Sequence, residues 1–232
     1  MEFSTPLIQG TFIRRYKRFF VDVQLDKDTV VTAHCPNTGT MRSCLGDGWP
    51  VCVSASNNPK RKLKYTWELV HNGHCWIAIN TQLTNAVAAE ALDACRIPEL
   101  AGVVDWRREV KYGENSRIDF LGEDGGRRCF VEVKNVTLAK DGRCTFPDAV
   151  TVRGQKHLRE LTRVARDGAR AVMLYLIARS DAQVFGPAAD IDPDYAREMR
   201  IAADVGVELL PYRADVSPTG ITLTNERVPF EW

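Results

Sequence analysis

Nothing in the sequence approaches the unbroken apolar run that a membrane-spanning helix needs. The first residues, MEFSTPLIQGTFIRRYKRFF, lack the basic, apolar and small-residue order of a secretory leader. A cytoplasmic location with no membrane partner is the expectation. Paired C-x-x-C spacings are also missing, and seven cysteines, an odd number, suit reduced thiols better than a disulfide framework. His71, His74 and Cys75, with His34 and Cys35, hold the atom types of a zinc site without its usual spacing, so no structural zinc is expected. Neither sign of charge is in excess: 31 basic against 30 acidic residues leave +1, which selects no acidic partner by itself. Repeats and low-complexity segments are absent. With 44% hydrophobic and 26% charged residues, disordered and fibrous classes are excluded. A length of 232 residues suits one large domain or two smaller ones, each with a core.

What the chain does have is segregated charge. Arg14, Arg15, Lys17 and Arg18 form one basic group, Lys60, Arg61, Lys62 and Lys64 a second, and Arg153, Lys156, Arg159, Arg163 and Arg166 a third. Residues 181–208 compensate with seven acids against two basic residues. Such separation can attract a polyanion to one face although the total is near zero, while each group alone is equally a solvated surface.

Residues 7–83 read as short strands (LIQGTFIRR, FFVDVQLD, DTVVTAHC, WPVCVSAS, YTWELVHN and CWIAINTQL) separated by turn residues. That spacing predicts a small Greek-key barrel of the OB type. Phe12, Tyr16, Phe19 and Phe20 interleave with the first basic group, a pattern that serves either base stacking or a core with solvated cations. The turn His34-Cys35-Pro36-Asn37-Thr38-Gly39 has backbone amides at Asn37 to Gly39 that suit an anion, and His34 suits a phosphate or a turn carbonyl.

A boundary near residue 84 divides the chain into 1–84 and 85–232. The second part opens with a helical stretch, Asn85 to Cys95, with Asn85 as a possible cap. A strand at 103–112 follows, then a hairpin, a helix at 153–167, the apolar strand RAVMLYLIA at 170–178, a helix at 193–205 ended by Gly206, and the strand VELLPY. The hairpin, RIDFLGEDGGRRCFVEVKNVTL at 117–138, holds the charges of most interest. With Gly125-Gly126 as its turn, Asp119 pairs with Glu132 at ~5 Å, and alternation puts Asp119, Glu132 and Lys134 on one face with the apolar residues on the other. Facing carboxylates repel unless a cation or proton relieves them.

An Asp in one strand and Glu-x-Lys in the next, in this element order, resembles the PD-(D/E)XK nuclease superfamily. Ile118 stands where the nominal motif has proline, and Arg159 where one branch often has tyrosine, whereas Gln155 matches that branch. Across the whole chain the blocks HCPNTG (34–39), YGENSRIDF (112–120), VEVKNVTL (131–138) and FPDAVTVRGQKHL (146–158) resemble the sugar fermentation stimulation protein A family. The resemblance implies an α/β (overall α+β) chain: a small OB-like barrel, then a PD-(D/E)XK nuclease-like α/β domain with a mixed central sheet. It also implies Mg²⁺ or Mn²⁺ held by Asp119, Glu132 and the backbone carbonyl of Val133. Lys134 would manage the attacking water, and Gln155 would orient a ligand or water. A further acid would come from Glu90, Glu109 or Glu114, with Glu90 favoured.

The implied partner is DNA, held mainly through its phosphates by Arg14, Arg15, Lys17, Arg18, Lys60, Arg61, Lys62, Arg153, Lys156 and Arg159, with little sequence specificity. A non-enzymatic DNA-binding regulator of sugar metabolism with a vestigial site is the alternative. A sugar-binding protein has only the barrel and its aromatics in its favour. The sequence leaves a homo-oligomer open.

Overall fold

The computed structural model describes residues 1–113 and 116–232. The predicted N-terminal strands are present as β1 (Ile8–Tyr16), β2 (Phe20–Gln24), β3 (Val30–His34), β4 (Pro50–Ala55) and β5 (Tyr65–His71). β1 pairs antiparallel with both β2 and β4, and a parallel bridge from Ala33 and His34 to Tyr65 and Thr66 closes the ring. The closure is short, covering only the end of β3. Alternate positions turn inward, among them Val21 and Val23, Val51 and Val53, around Phe12 and Trp67. The aromatics of the first basic group thus divide: Phe12 belongs to the core, Tyr16 and Phe20 stack at 5.5 Å, and Phe19 is exposed.

A short strand, β6 (Trp76–Ala78), continues from β5, and α1 (Thr84–Asp93) follows it. The second half contains β7 (Val104–Tyr112), β8 (Ser116–Asp124), β9 (Arg127–Val136), β10 (Ala139–Lys140), β11 (Arg143–Phe146), α2 (Val152–Arg166), β12 (Arg170–Ile177), β13 (Val184–Pro187), α3 (Pro193–Asp204), β14 (Glu208–Ser217) and β15 (Gly220–Arg227). Its main sheet runs β15-β14-β12-β9-β8-β7, with β9, β12 and β14 parallel and the outer pairings antiparallel. β10, β11 and β13 form a small separate sheet.

The apolar run of β12 is buried on both faces, as a central strand covered by helices requires. α1 packs on one face of the sheet with Phe120, Val131 and Val133; Leu158 and Leu161 of α2 and Met199 of α3 pack on the other with Ile118 and Phe130. The α1 side also takes in Cys52, Leu69 and Ala78 of the barrel region, so one apolar cluster spans the junction. Polar links add to it. Arg179 donates through Nε and Nη2 to Asp181 at 2.5 and 2.6 Å and through Nη1 to the Thr137 carbonyl at 2.8 Å, and Asn72 of the barrel donates to Asp181 at 2.8 Å. No helix among the described residues is long and apolar enough to cross a membrane.

Candidate active site

The hairpin begins as its glycines dictate. Asp124 pairs with Arg127, leaving Gly125 and Gly126 at φ 57° and 88°, the left-handed pair that a two-residue hairpin loop needs. The ladder then runs to Phe120 and Val131 and stops. The expected next pair, Asp119 with Glu132, does not form. Instead Asp119 Oδ2 accepts the Val133 N–H at 2.8 Å, so a side chain fills the place of a ladder bond while β8 continues on β7 alone. The change of direction shows in the packing. Ile118 and Phe120, two residues apart, lie in opposite apolar clusters, so one charged face and one apolar face is also corrected.

The parting of β8 from β9 makes room for chemistry. In an extended strand the N–H and C=O of one residue point to the same edge, so the Val133 carbonyl faces the gap its N–H faces. Glu132, only 3% exposed, lies under α2. Its Oε1 accepts from Lys134 Nζ at 2.7 Å and meets His157 Nδ1, while Lys134 Nζ and His157 Nδ1 are 3.1 Å apart. Its Oε2 is buried without a hydrogen-bond partner among the described residues. Asp119 accepts at Oδ1 from the Asn85 amide at 2.7 Å. Burial, then repulsion from Glu132, pushes the Asp119 carboxyl above its ordinary range. Burial acts the same way on Glu132 but is outweighed by Lys134 and His157, which hold it below.

These groups line a cleft of about 490 Å³ between barrel and second domain. The barrel contributes Arg18 and the Asn37-Thr38-Gly39 turn. Arg15 clamps that turn, donating to the carbonyls of Asn37 at 2.8 Å and Gly39 at 3.0 Å. Asp148 holds it from the other side, accepting from the Met41 N–H at 3.1 Å, with its carbonyl bonded by Thr40. A Cβ on Gly39 would sit 2.2 Å from the Asp148 carboxylate, so only glycine allows this approach. The Gly39 N–H is taken by Asn37 Oδ1, which removes it from the anticipated set of anion-binding amides.

The structure brings some of the sequence-predicted residues into the cleft and places others elsewhere. Glu90 does not line the cleft; it pairs with the Met1 amino group at 2.6 Å and Arg96 at 2.9 Å. Gln155 donates to Asp192 at 2.9 Å and faces α3 rather than the carboxylates. Asn85 is no cap: it sits inside α1, with its amide on Asp119. Arg15 is committed to the turn, and Arg159 reaches Glu198 at 3.3 Å. Arg14 is paired with Asp22 at 2.8 Å yet largely exposed. Lys17, Lys60, Arg61 and Lys62 lie outside the cleft wall, whereas Arg18 and Arg153 are in it. Lys156 lies 3.7 Å from Glu160. Glu109 approaches the Asn85 amide at 3.4 Å, and Glu114 lies outside the described residues.

Gln155→Ala is therefore expected to cost about 1 kcal/mol of stability and to leave divalent-cation affinity unchanged, measured by urea unfolding and calorimetric titration. A large loss of affinity would put Gln155 back in the centre.

An OB barrel joined to a mixed α/β domain, with an Asp and a Glu-x-Lys where two strands part, defines a two-domain protein of the restriction-endonuclease-like class. Family models agree on both halves: residues 13–79 match the SfsA N-terminal OB domain and residues 82–220 the sugar fermentation stimulation protein RE domain. The chain belongs to the sugar fermentation stimulation protein family. It is 51% identical over 226 residues to a sugar fermentation stimulation protein homolog of Geotalea uraniireducens, covering 97% of this chain and 98% of the relative. It is 54% identical over 224 residues to that of Geobacter sulfurreducens, covering 97% and 96%. A solved structure, Pyrococcus furiosus SfsA in complex with Ca²⁺, superimposes with TM-score 0.89 at 29% identity, covering 100% of this chain and 98% of that one.

Proposed function

We propose that this chain is a DNA-binding protein of low sequence specificity that hydrolyses phosphodiesters in the cleft with a divalent cation. The observation that carries this reading is the buried, unpartnered Oε2 of Glu132 in a cleft shared with Asp119, the Val133 backbone and Lys134. A binder that only grips phosphates gains nothing from two carboxylates beside them.

The donor set fits a hard cation. It offers carboxylate and carbonyl oxygens, with space for waters. Mg²⁺ or Mn²⁺ held by so few protein oxygens would keep several waters in its shell. Bound there, such an ion would polarise a phosphoryl oxygen and acidify water. Asp119 is aimed by Asn85 and the Val133 N–H, and Glu132 by Lys134 and His157. The ammonium of Lys134 offsets phosphate charge and orients the attacking water. Arg18 and Arg153, from opposite walls, hold backbone phosphates.

The relative with Ca²⁺ supports cation binding in this fold and leaves the choice of Mg²⁺ to experiment. Glu90 and Gln155, both engaged away from the cleft, favour a second reading, a DNA-binding regulator with a vestigial centre.

Incubation with single-stranded, duplex and branched DNA and with RNA, under Mg²⁺, Mn²⁺ or chelator, separates the two. Metal-dependent cleavage lost in Asp119→Ala is expected; binding without cleavage under every condition would leave the regulator. Independently of turnover, Mg²⁺ at a hundredfold excess over its Kd should stabilise the wild type by about 2.7 kcal/mol. The resulting rise in Tm should vanish in Asp119→Ala. An undiminished shift would place the cation elsewhere.

A further inference from the structure

A further cavity, of about 540 Å³, shares Arg153 and His157, and no other described residue, with the cleft. Its remaining walls are Glu109, Ser116, Arg117 and Lys156. The sequence places these groups for simple reasons. Arg117 sits on β8 two residues before Asp119, and Arg153 and Lys156 are three apart on the opening turns of α2, so they share a face at the positive end of the helix. Three cationic side chains thus surround one cavity. Facing them are Glu109, which leans toward Asn85 at 3.4 Å, and the buried Glu160 carboxylate, 3.7 Å from Lys156. Arg153 Nε meets the ring of His157 at 3.4 Å, and Arg117 is exposed. Arg117 and Arg153 bring positive charge to the cavity from two different elements, β8 and α2.

We propose that this side cavity receives the terminal phosphate monoester of a nucleic-acid strand whose neighbouring phosphodiester lies in the cleft. The identity of the ligand rests on the nuclease reading given above. A monoester fits better than a backbone diester for two reasons. It carries a charge near −2 and three acceptor oxygens, which matches several converging cations. The cavity also adjoins the cleft at Arg153 and His157, where the end of a strand lying in the cleft would reach it. The arrangement sets the scissile bond close to a strand end, so hydrolysis releases short terminal products rather than making internal cuts.

The test uses internally labelled oligonucleotides of one sequence carrying a 5′-phosphate, a 3′-phosphate or hydroxyls at both ends. Their binding to the full chain is followed by fluorescence anisotropy in chelator, where no cleavage occurs. One phosphorylated form should bind about tenfold tighter than the hydroxyl form. Arg117→Ala, an exposed residue that lines this cavity and not the cleft, should reduce the preference to within about twofold. Equal affinity for all three, or a preference that survives Arg117→Ala, overturns the proposal. If the preference holds in a protein that never cuts, the end pocket stands and the nuclease reading falls; cleavage without a preference gives the converse.

Discussion

Replacing Lys134 with alanine is expected to lower metal-dependent strand cleavage by about two to four orders of magnitude and to change nucleic-acid binding far less. The ammonium is mostly buried and holds both Glu132 and His157, so it acts at the reacting centre rather than along the strand. Its loss also frees the Glu132 carboxyl to rise, because after burial Lys134 is the leading influence on that group. Lys134→Arg should rescue little, since a planar guanidinium cannot place its charge where the compact ammonium sits. Single-turnover cleavage under saturating Mg²⁺, with binding measured separately in chelator, checks this. Cleavage within about threefold of wild type would remove Lys134 from the chemistry.

The second large effect is structural. Asp181→Ala is expected to destabilise the protein by about 3 kcal/mol or more, because it leaves the Arg179 guanidinium buried without its carboxylate. Arg179→Met with Asp181→Leu should recover much of that loss, since removing both charges removes the burial cost. The same pair sets a pH dependence. Two guanidinium N–H bonds and the Asn72 amide outweigh burial and hold Asp181 at about 2, below the 3.8 of a free aspartate. Because the folded value is the lower one, the pair's contribution is complete above the free-aspartate range and is lost as the pH falls from there toward about 2. Urea unfolding between pH 2 and 7, in wild type and Asp181→Ala, measures it. A parallel pH dependence in both proteins would show that the pair contributes nothing.

Much of this architecture is readable from residues whose constraints are local. The paired glycines at 125 and 126 define the hairpin, and RAVMLYLIA is apolar enough to be a central strand. β15 was legible too, in the Ile221 and Leu223 alternation after a Pro-Thr-Gly turn, although it was not among the expected strands. The small β10-β11-β13 sheet was not, because strands of two to four residues carry too few side chains to show a period.

The site divides the same way. Asp119, Glu132 and Lys134 follow from sequence spacing, but His157 does not. Gln155 and His157 are two residues apart, about 200° around a helix, so when one reaches Asp192 the other turns to Glu132. Which faces inward depends on α3, far along the chain. The place of Glu90 is hidden for a similar reason, since its partner is the amino group of Met1.

The turn at Asn37 to Gly39, held by Arg15 on one side and Asp148 on the other, has a consequence for inheritance. The cleft belongs to neither domain alone, so a barrel borrowed from a relative must bring a turn that suits the recipient's Asp148. Chimeras that exchange residues 1–84 should therefore tolerate divergence on the barrel's outer surface but not along this seam, at Asn72, or at Cys52, Leu69 and Ala78, which pack across the junction. Each half has the outline of a module, but the cleft forms where both supply matching residues.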